Sequence, residues 1–151
     1  MSEEEADRRA IRGLVDGYAH GVDRREPEAV AQLFTEDGVL AIYEGDPAVT
    51  EPARVRRGRS EITTALGGLS RYRVTTHLLG QHTVELAGDR ATGETYCMAH
   101  HLSDVESGGV QDRVLAIRYL DRYSRVEDGW RIAERVLVID WADERAVAPP
   151  G

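Results

Sequence analysis

Tyr18, His20 and Asp23 fall within six positions in the stretch DGYAHGVDRREPEAV. A phenol, an imidazole and a carboxylate are the side chains that move protons at ordinary pH. Further along, His77 and His82 stand in RYRVTTHLLGQHTVEL, His100 and His101 are adjacent, and Arg135 lies in WRIAERVLVIDW. Asp23 has two readings, a helix cap or an acid in a site. DRRE matches a capping box, with Asp23 at the cap and Glu26 three residues on. Pro27 weighs against that, because a proline fits the first helical position, which makes Glu26 the cap and leaves Asp23 outside.

The other candidates carry plainer readings too. Tyr18 lies on an apolar helical stripe, where a tyrosine usually packs in the core. His20 is off that stripe and is expected in solvent. His77 is on a strand with neither face cleanly polar, and a lone histidine there is more often a hydrogen-bonded core residue than a catalyst. His82 follows Gly80, where a bulge is expected. His100 and His101 face opposite sides of one strand, so at most one enters a pocket. Tyr96, Met98, His100 and Leu102 form the larger, more apolar set, which favours His100. Arg135 shares a face with Ala133, Leu137, Ile139 and Trp141. A buried arginine there either pairs with a carboxylate such as Asp121 or Asp140, or holds an anion.

The elements that must position these groups are legible in the periodicity. Ile11, Leu14, Val15, Tyr18, Ala19 and Val22 mark an amphipathic helix over about 4–22. A second helix is expected at 27–35, a turn at TEDG, a strand at 39–44 and an exposed loop or lid at 45–57. Ser60 is expected to cap a third helix, ended by Gly67 and Gly68. Strands at 72–87, 90–105, 110–126 and 130–142 are separated by hairpin signals, so antiparallel pairing is the default. The order predicts an α+β fold, with three N-terminal helices packed on one face of a curved antiparallel sheet. The open end of such a sheet is a natural pocket.

The chain of 151 residues suits a single domain over 1–151, with a core at about 5–142 and a tail at 143–151. Its one cysteine allows no internal disulfide, which suits a reducing cytoplasm. No signal peptide or membrane-spanning run is visible. A net charge of −8 counts against nucleic acid as a partner. All 19 basic residues are arginine, so Schiff-base chemistry through lysine is excluded. There is no nucleophile elbow, P-loop, dinucleotide fingerprint or zinc-protease motif. The five histidines show no facial-triad spacing on one element, so no metal is expected.

The helix–helix–strand–helix order, a tyrosine and an aspartate closing the first helix, LFTEDG, TTHLL and RYSRVEDGWRIAERVLVIDW together resemble the SnoaL-like branch of the nuclear transport factor 2-like superfamily. The resemblance spans about 5–142. It implies a cone-shaped α+β barrel with a deep apolar pocket, in homodimers or homotrimers. It also implies catalytic roles for four residues. Asp23 and His77 match the dyad of scytalone dehydratase, bile acid dehydratase and hexachlorocyclohexane dehydrochlorinase. Tyr18 matches a tyrosine of the bile acid enzyme, and Arg135 a pocket arginine of that enzyme and the dehydrochlorinase. The implied activity is a cofactor-free lyase or isomerase acting on a small hydrophobic, polycyclic, steroid-like or polyketide-like molecule. A polyketide cyclase of the aldol type is an alternative. A non-catalytic module, like the small subunits of ring-hydroxylating dioxygenases, is another. The pocket walls are expected at Tyr43, Tyr96, Met98, His100, Trp141 and the 45–57 loop.

Overall fold

The computed structural model describes residues 1–150. Helix α1 spans Glu3–Asp23 and opens with a capping box between Ser2 and Glu5. Its stripe of Ile11, Leu14, Val15, Tyr18 and Val22 is buried against the sheet. Each such side chain removed from water contributes about 1.5–3 kcal/mol. Helix α2 is Pro27–Ala31, with the proline in the first turn as expected. It is shorter than the apolar stripe suggests, because Phe34 already begins β1 (Phe34–Glu44). Gly21 lets α2 lie close to α1. A Cβ there would sit 2.5 Å from Val30 Cγ2.

TEDG is not a free turn. It lies inside β1 as a register irregularity between Phe34 and Val39, a bulge that bends the strand. The 45–57 segment is only partly loop, since Arg54–Arg57 forms β2 and pairs antiparallel with β1. Helix α3 covers Gly58–Gly67, with Arg57 rather than Ser60 at its N-cap. Glu61 Oε2 accepts from the Arg57 main-chain N–H at 2.7 Å. A 3-10 turn at Gly68–Arg71 then leads to β3 (Val74–Ala87), β4 (Arg90–Asp104), β5 (Val110–Val126) and β6 (Gly129–Val147). β6 runs past the end expected at 142, because residues 142–147 continue the ladder with β5.

The strands form one six-stranded sheet in the order β2-β1-β6-β5-β4-β3. It is mixed, because β1 pairs with β6 in parallel. The long connection from β1 to β6, through β2, α3 and three further strands, makes that crossing possible. The sheet is open, so the curved α+β fold holds while closure into a barrel does not.

Polar ties fix α1 on the sheet. Asp7 accepts from Trp130 Nε1 at 2.9 Å and from Arg125 Nη2 at 2.6 Å. At the far end, Arg59 donates to the Phe34 carbonyl and holds α3 on β1. No described helix is long and apolar enough to cross a membrane.

Candidate active site

Between α1, α3 and the inner sheet face lies a cavity of about 640 Å3. That is within the usual range for small-molecule sites. Tyr18, Val22, Leu40, Ile42, Leu115, Ile117, Tyr119, Leu137 and Ile139 supply much of its wall. His77 and His101 enter from neighbouring strands.

His77 is tied to Asp23, the last residue of α1. His77 Nδ1 lies 2.7 Å from Asp23 Oδ1, and the His77 main-chain N–H donates to Oδ2 at 2.8 Å. Thr75 Oγ1 donates to Oδ1 at 3.0 Å. A carboxylate only accepts, so His77 Nδ1 carries a proton, and in the neutral ring Nε2 carries the lone pair. Burial alone would raise the Asp23 pKa. The bonds from the His77 ring and main chain outweigh it and hold the carboxyl below the usual carboxylate range.

The carboxylate stands where a helix is least hospitable to it, at the negative end of the macrodipole. The chain turns away there through a Schellman motif. Glu26 N–H bonds to Gly21 O at 2.9 Å, and Arg25 N–H to Val22 O at 3.2 Å. The left-handed position that glycine normally fills is occupied by Arg25, at φ 59°. Its side chain explains the choice. Arg25 Nη1 donates to Thr75 Oγ1 at 2.8 Å, and Nη2 to the Tyr72 carbonyl at 3.2 Å. A chain of donors thus runs from Arg25 through Thr75 to Asp23.

Tyr18 is 3% exposed, and burial pushes its phenol up to about 12. It therefore stays protonated and able to donate. Arg135 is completely buried and is not a lining residue of the cavity. Its guanidinium forms a bidentate pair with Asp121 at 2.9 and 2.8 Å. It also lies 4.3 Å above the Tyr18 ring and 4.0 Å above the Tyr119 ring. Of the two readings open to it, the structure gives it the ion-pair geometry and places it behind Tyr18. Its Nη1 and the Tyr119 hydroxyl are buried without a protein partner among the described residues.

The expected pocket walls need correcting. Tyr43, Tyr96, Met98, His100 and Trp141 do not line the cavity. Ile42 and Glu44 point inward, so Tyr43 between them points away. On β4 the smaller face is the inner one. Cys97 and Ala99 are buried there beneath α1 and the cavity, and His101, not His100, lines the site. Trp141 shares a simple alternation with Leu137 and Ile139, but Asp140 is an extra residue in a bulge opposite Ala116 and Ile117. That bulge turns Trp141 outward. Tyr96, Met98 and Trp141 instead flank a second groove, of about 310 Å3, on the outer sheet face.

His101 stands edge-on to His77, with ring centres 5.8 Å apart, and packs on Tyr72. Its Nδ1 lies 3.2 Å from the Arg113 carbonyl, to which it must donate. Burial, reinforced by the nearby His77, lowers its pKa. His82 returns to the inner face after the expected bulge at Gly80 and bonds to Thr95 at 3.0 Å. His100 pairs with the buried Asp112 at 2.7 Å on the outer face. Sequence reasoning missed Arg25, Thr75 and His101. The polar TT pair before His77 was the available signal for Thr75. Among the described residues no three His, Cys, Asp or Glu side chains converge as a metal site.

Residues 3–136 match the SnoaL-like domain family. The chain is a SnoaL-like protein. It thereby belongs to the nuclear transport factor 2-like superfamily. An uncharacterised protein of Mycobacterium tuberculosis is similar to it, at 26% identity over 133 residues, covering 87% of this chain and 84% of the relative. A hexachlorocyclohexane dehydrochlorinase superposes with a TM-score of 0.82 at 21% identity, covering 98% of this chain and 97% of the other. A Novosphingobium aromaticivorans protein provisionally assigned as a scytalone dehydratase superposes at 0.77, with 24% identity over 98% of this SnoaL-like chain and 95% of its own. At these identities the two solved structures show a common fold.

Proposed function

We propose that this SnoaL-like protein is a cofactor-independent lyase or isomerase of the dehydratase type. Its substrate is a small polycyclic, steroid-like or polyketide-like molecule held in the inner cavity. The observation that carries the reading is the Asp23–His77 dyad on the cavity wall, with its ring proton committed to Asp23.

In this reading His77 Nε2 takes a proton from a carbon next to an electron-withdrawing group. Asp23 holds the tautomer and stabilises the imidazolium that forms. The electrons of the broken C–H bond become a C=C bond, and the carbon–oxygen bond to a hydroxyl breaks. Tyr18 gives its proton to the departing hydroxyl, which leaves as water, and the imidazolium proton returns through solvent to the tyrosinate. Where no leaving group is present, Tyr18 donates to the carbonyl oxygen, the imidazolium gives its proton to the far carbon of the resulting dienol, and the enol proton goes back to the tyrosinate as the double bond shifts. Arg135 acts through Tyr18. Its charge favours the tyrosinate and opposes the effect of burial.

The same reading takes the protein as a cytoplasmic homodimer or homotrimer needing no metal or organic cofactor. The exposed Leu78, Tyr96 and Trp141 of the outer sheet face support assembly. The test is a panel of cyclic β-hydroxy ketones and thioesters, followed by mass spectrometry in heavy water with wild type and His77→Ala. Loss of one water, or deuterium uptake without loss, is expected from wild type alone. A cyclised product of unchanged mass and no deuterium uptake would replace this reading with an aldol-type cyclase.

A further inference from the structure

Four arginines line the inner cavity, namely Arg54, Arg56, Arg71 and Arg113, against two carboxylates, Glu44 and Glu61. In a chain of net charge −8 this local excess runs against the whole. About half of the other arginines are ion-paired, as Arg118 with Asp140 and Arg125 with Asp7. None of these four forms an ion pair among the described residues. Glu61 is turned to the Arg57 main chain. Arg71 bonds only to neutral oxygens, Gly68 O and the Tyr72 hydroxyl, and stacks on the Tyr72 ring.

Their placement is specific. Arg54 and Arg56 are two apart on β2 and so share a face. They pair in register with Ile42 and Leu40, both lining residues. Arg113 comes from β5 beside His101, and Arg71 from the turn after α3. Arg54, Arg71 and Arg113 are exposed while Arg56 is half-buried, which puts the group where the cavity meets solvent. Arg135, the residue whose sequence context suggested an anion clamp, is neutralised by Asp121.

We propose that the substrate carries an organic acid group, a carboxylate or its sulfonate equivalent, which Arg54, Arg56, Arg71 and Arg113 hold at the mouth while its apolar body fills the cavity. This rests on reading the cavity as the substrate site, and it names the class of substrate. Guanidinium groups suit such an anion because their paired N–H donors match its oxygens, and cationic mouths raise the capture rate of anions.

The test uses two dyes with the same ring skeleton, 1-anilinonaphthalene-8-sulfonate and the uncharged N-phenyl-1-naphthylamine. The sulfonate is expected to bind roughly tenfold tighter at low salt, with the advantage shrinking as salt rises. The double variant Arg56→Ala/Arg113→Ala should erase that advantage and leave the affinity for the neutral dye unchanged within about twofold. Tyr96→Ala, in the outer groove, should change neither, and circular dichroism checks each fold. Equal affinities in wild type, an undiminished sulfonate preference in the double variant, or failure of both dyes to bind overturns the proposal. The dyes need no turnover. A preserved preference alongside a His77→Ala variant of undiminished turnover would sink the dehydratase reading and leave the anion site standing.

Discussion

His77 reaches Asp23 twice, through its ring nitrogen at 2.7 Å and its own main-chain N–H at 2.8 Å. The second bond clamps the strand to the helix end, and the first sets the tautomer. Asp23→Asn separates the two roles. An amide oxygen still accepts from the main chain, but the amide nitrogen then donates to Nδ1 and moves the ring proton to Nε2. On the proposed mechanism the base is then lost while the fold remains. Turnover is expected to drop by at least about 100-fold in both Asp23→Asn and His77→Ala, with unchanged near-ultraviolet circular dichroism. Near-wild-type turnover in both would rule out the dyad mechanism.

Arg25 holds a left-handed backbone at φ 59° that glycine would adopt without strain. Arg25→Gly removes the strain and the Thr75 buttress together. Arg25→Ala removes only the buttress. The glycine variant should therefore melt about 2–4 °C above the alanine variant, for a strain near ~1 kcal/mol. Both should lose turnover by a similar factor of about ten, since Thr75 is freed to turn from Asp23. Equal turnover to wild type would make Arg25 a purely structural cap.

The Arg135–Asp121 pair is fully buried on both sides, so breaking it leaves a bare charge. Asp121→Asn is expected to cost about 3–5 kcal/mol, read as a loss of roughly 10 °C in melting temperature. Arg135→Lys should cost nearly as much, because an ammonium cannot span both carboxylate oxygens and the two tyrosine rings. Unchanged melting with lost activity in Arg135→Lys would instead mark Arg135 as a direct substrate ligand.

Most of the fold was legible because it follows repeating patterns. The α1 stripe, Pro27 and the glycine-marked hairpins each act locally, and the structure places them as read. The dyad was legible only in part. Pro27 freed Asp23 from capping, but nothing local joins it to His77, more than fifty residues away. Two of the misreadings share a cause. A bulge changes face parity by one residue, and the bulges at 35–38 and at Asp140 leave no clear mark in composition. The β4 face was assigned by size, yet the inner face there is built from the small Cys97 and Ala99. The parallel β1–β6 pair was invisible for another reason. Hairpin signals report sequence neighbours, and these two strands are far apart in the chain.

Acid should destabilise the protein in two separate ranges. His82 and His101 both have pKa values lowered in the fold, chiefly by burial. Below the ordinary histidine value near ~6.5 the unfolded chain takes up protons that the folded chain refuses. Stability therefore falls as pH drops through that value, by at most about 1.4 kcal/mol per pH unit for each group. Asp7 and Asp23 also have lowered values, and they act in the same direction at lower pH. Their contribution is complete above the ordinary carboxylate value near ~4 and is lost only as pH falls through their depressed folded values. Melting temperature measured from pH 8 to 3 should show a first decline beginning near ~6.5 and a second, steeper one below ~4. His101→Gln should flatten the first decline and leave the second in place. A first decline of unchanged size in that variant would mean that His101 is as easily protonated in the fold as in the unfolded chain.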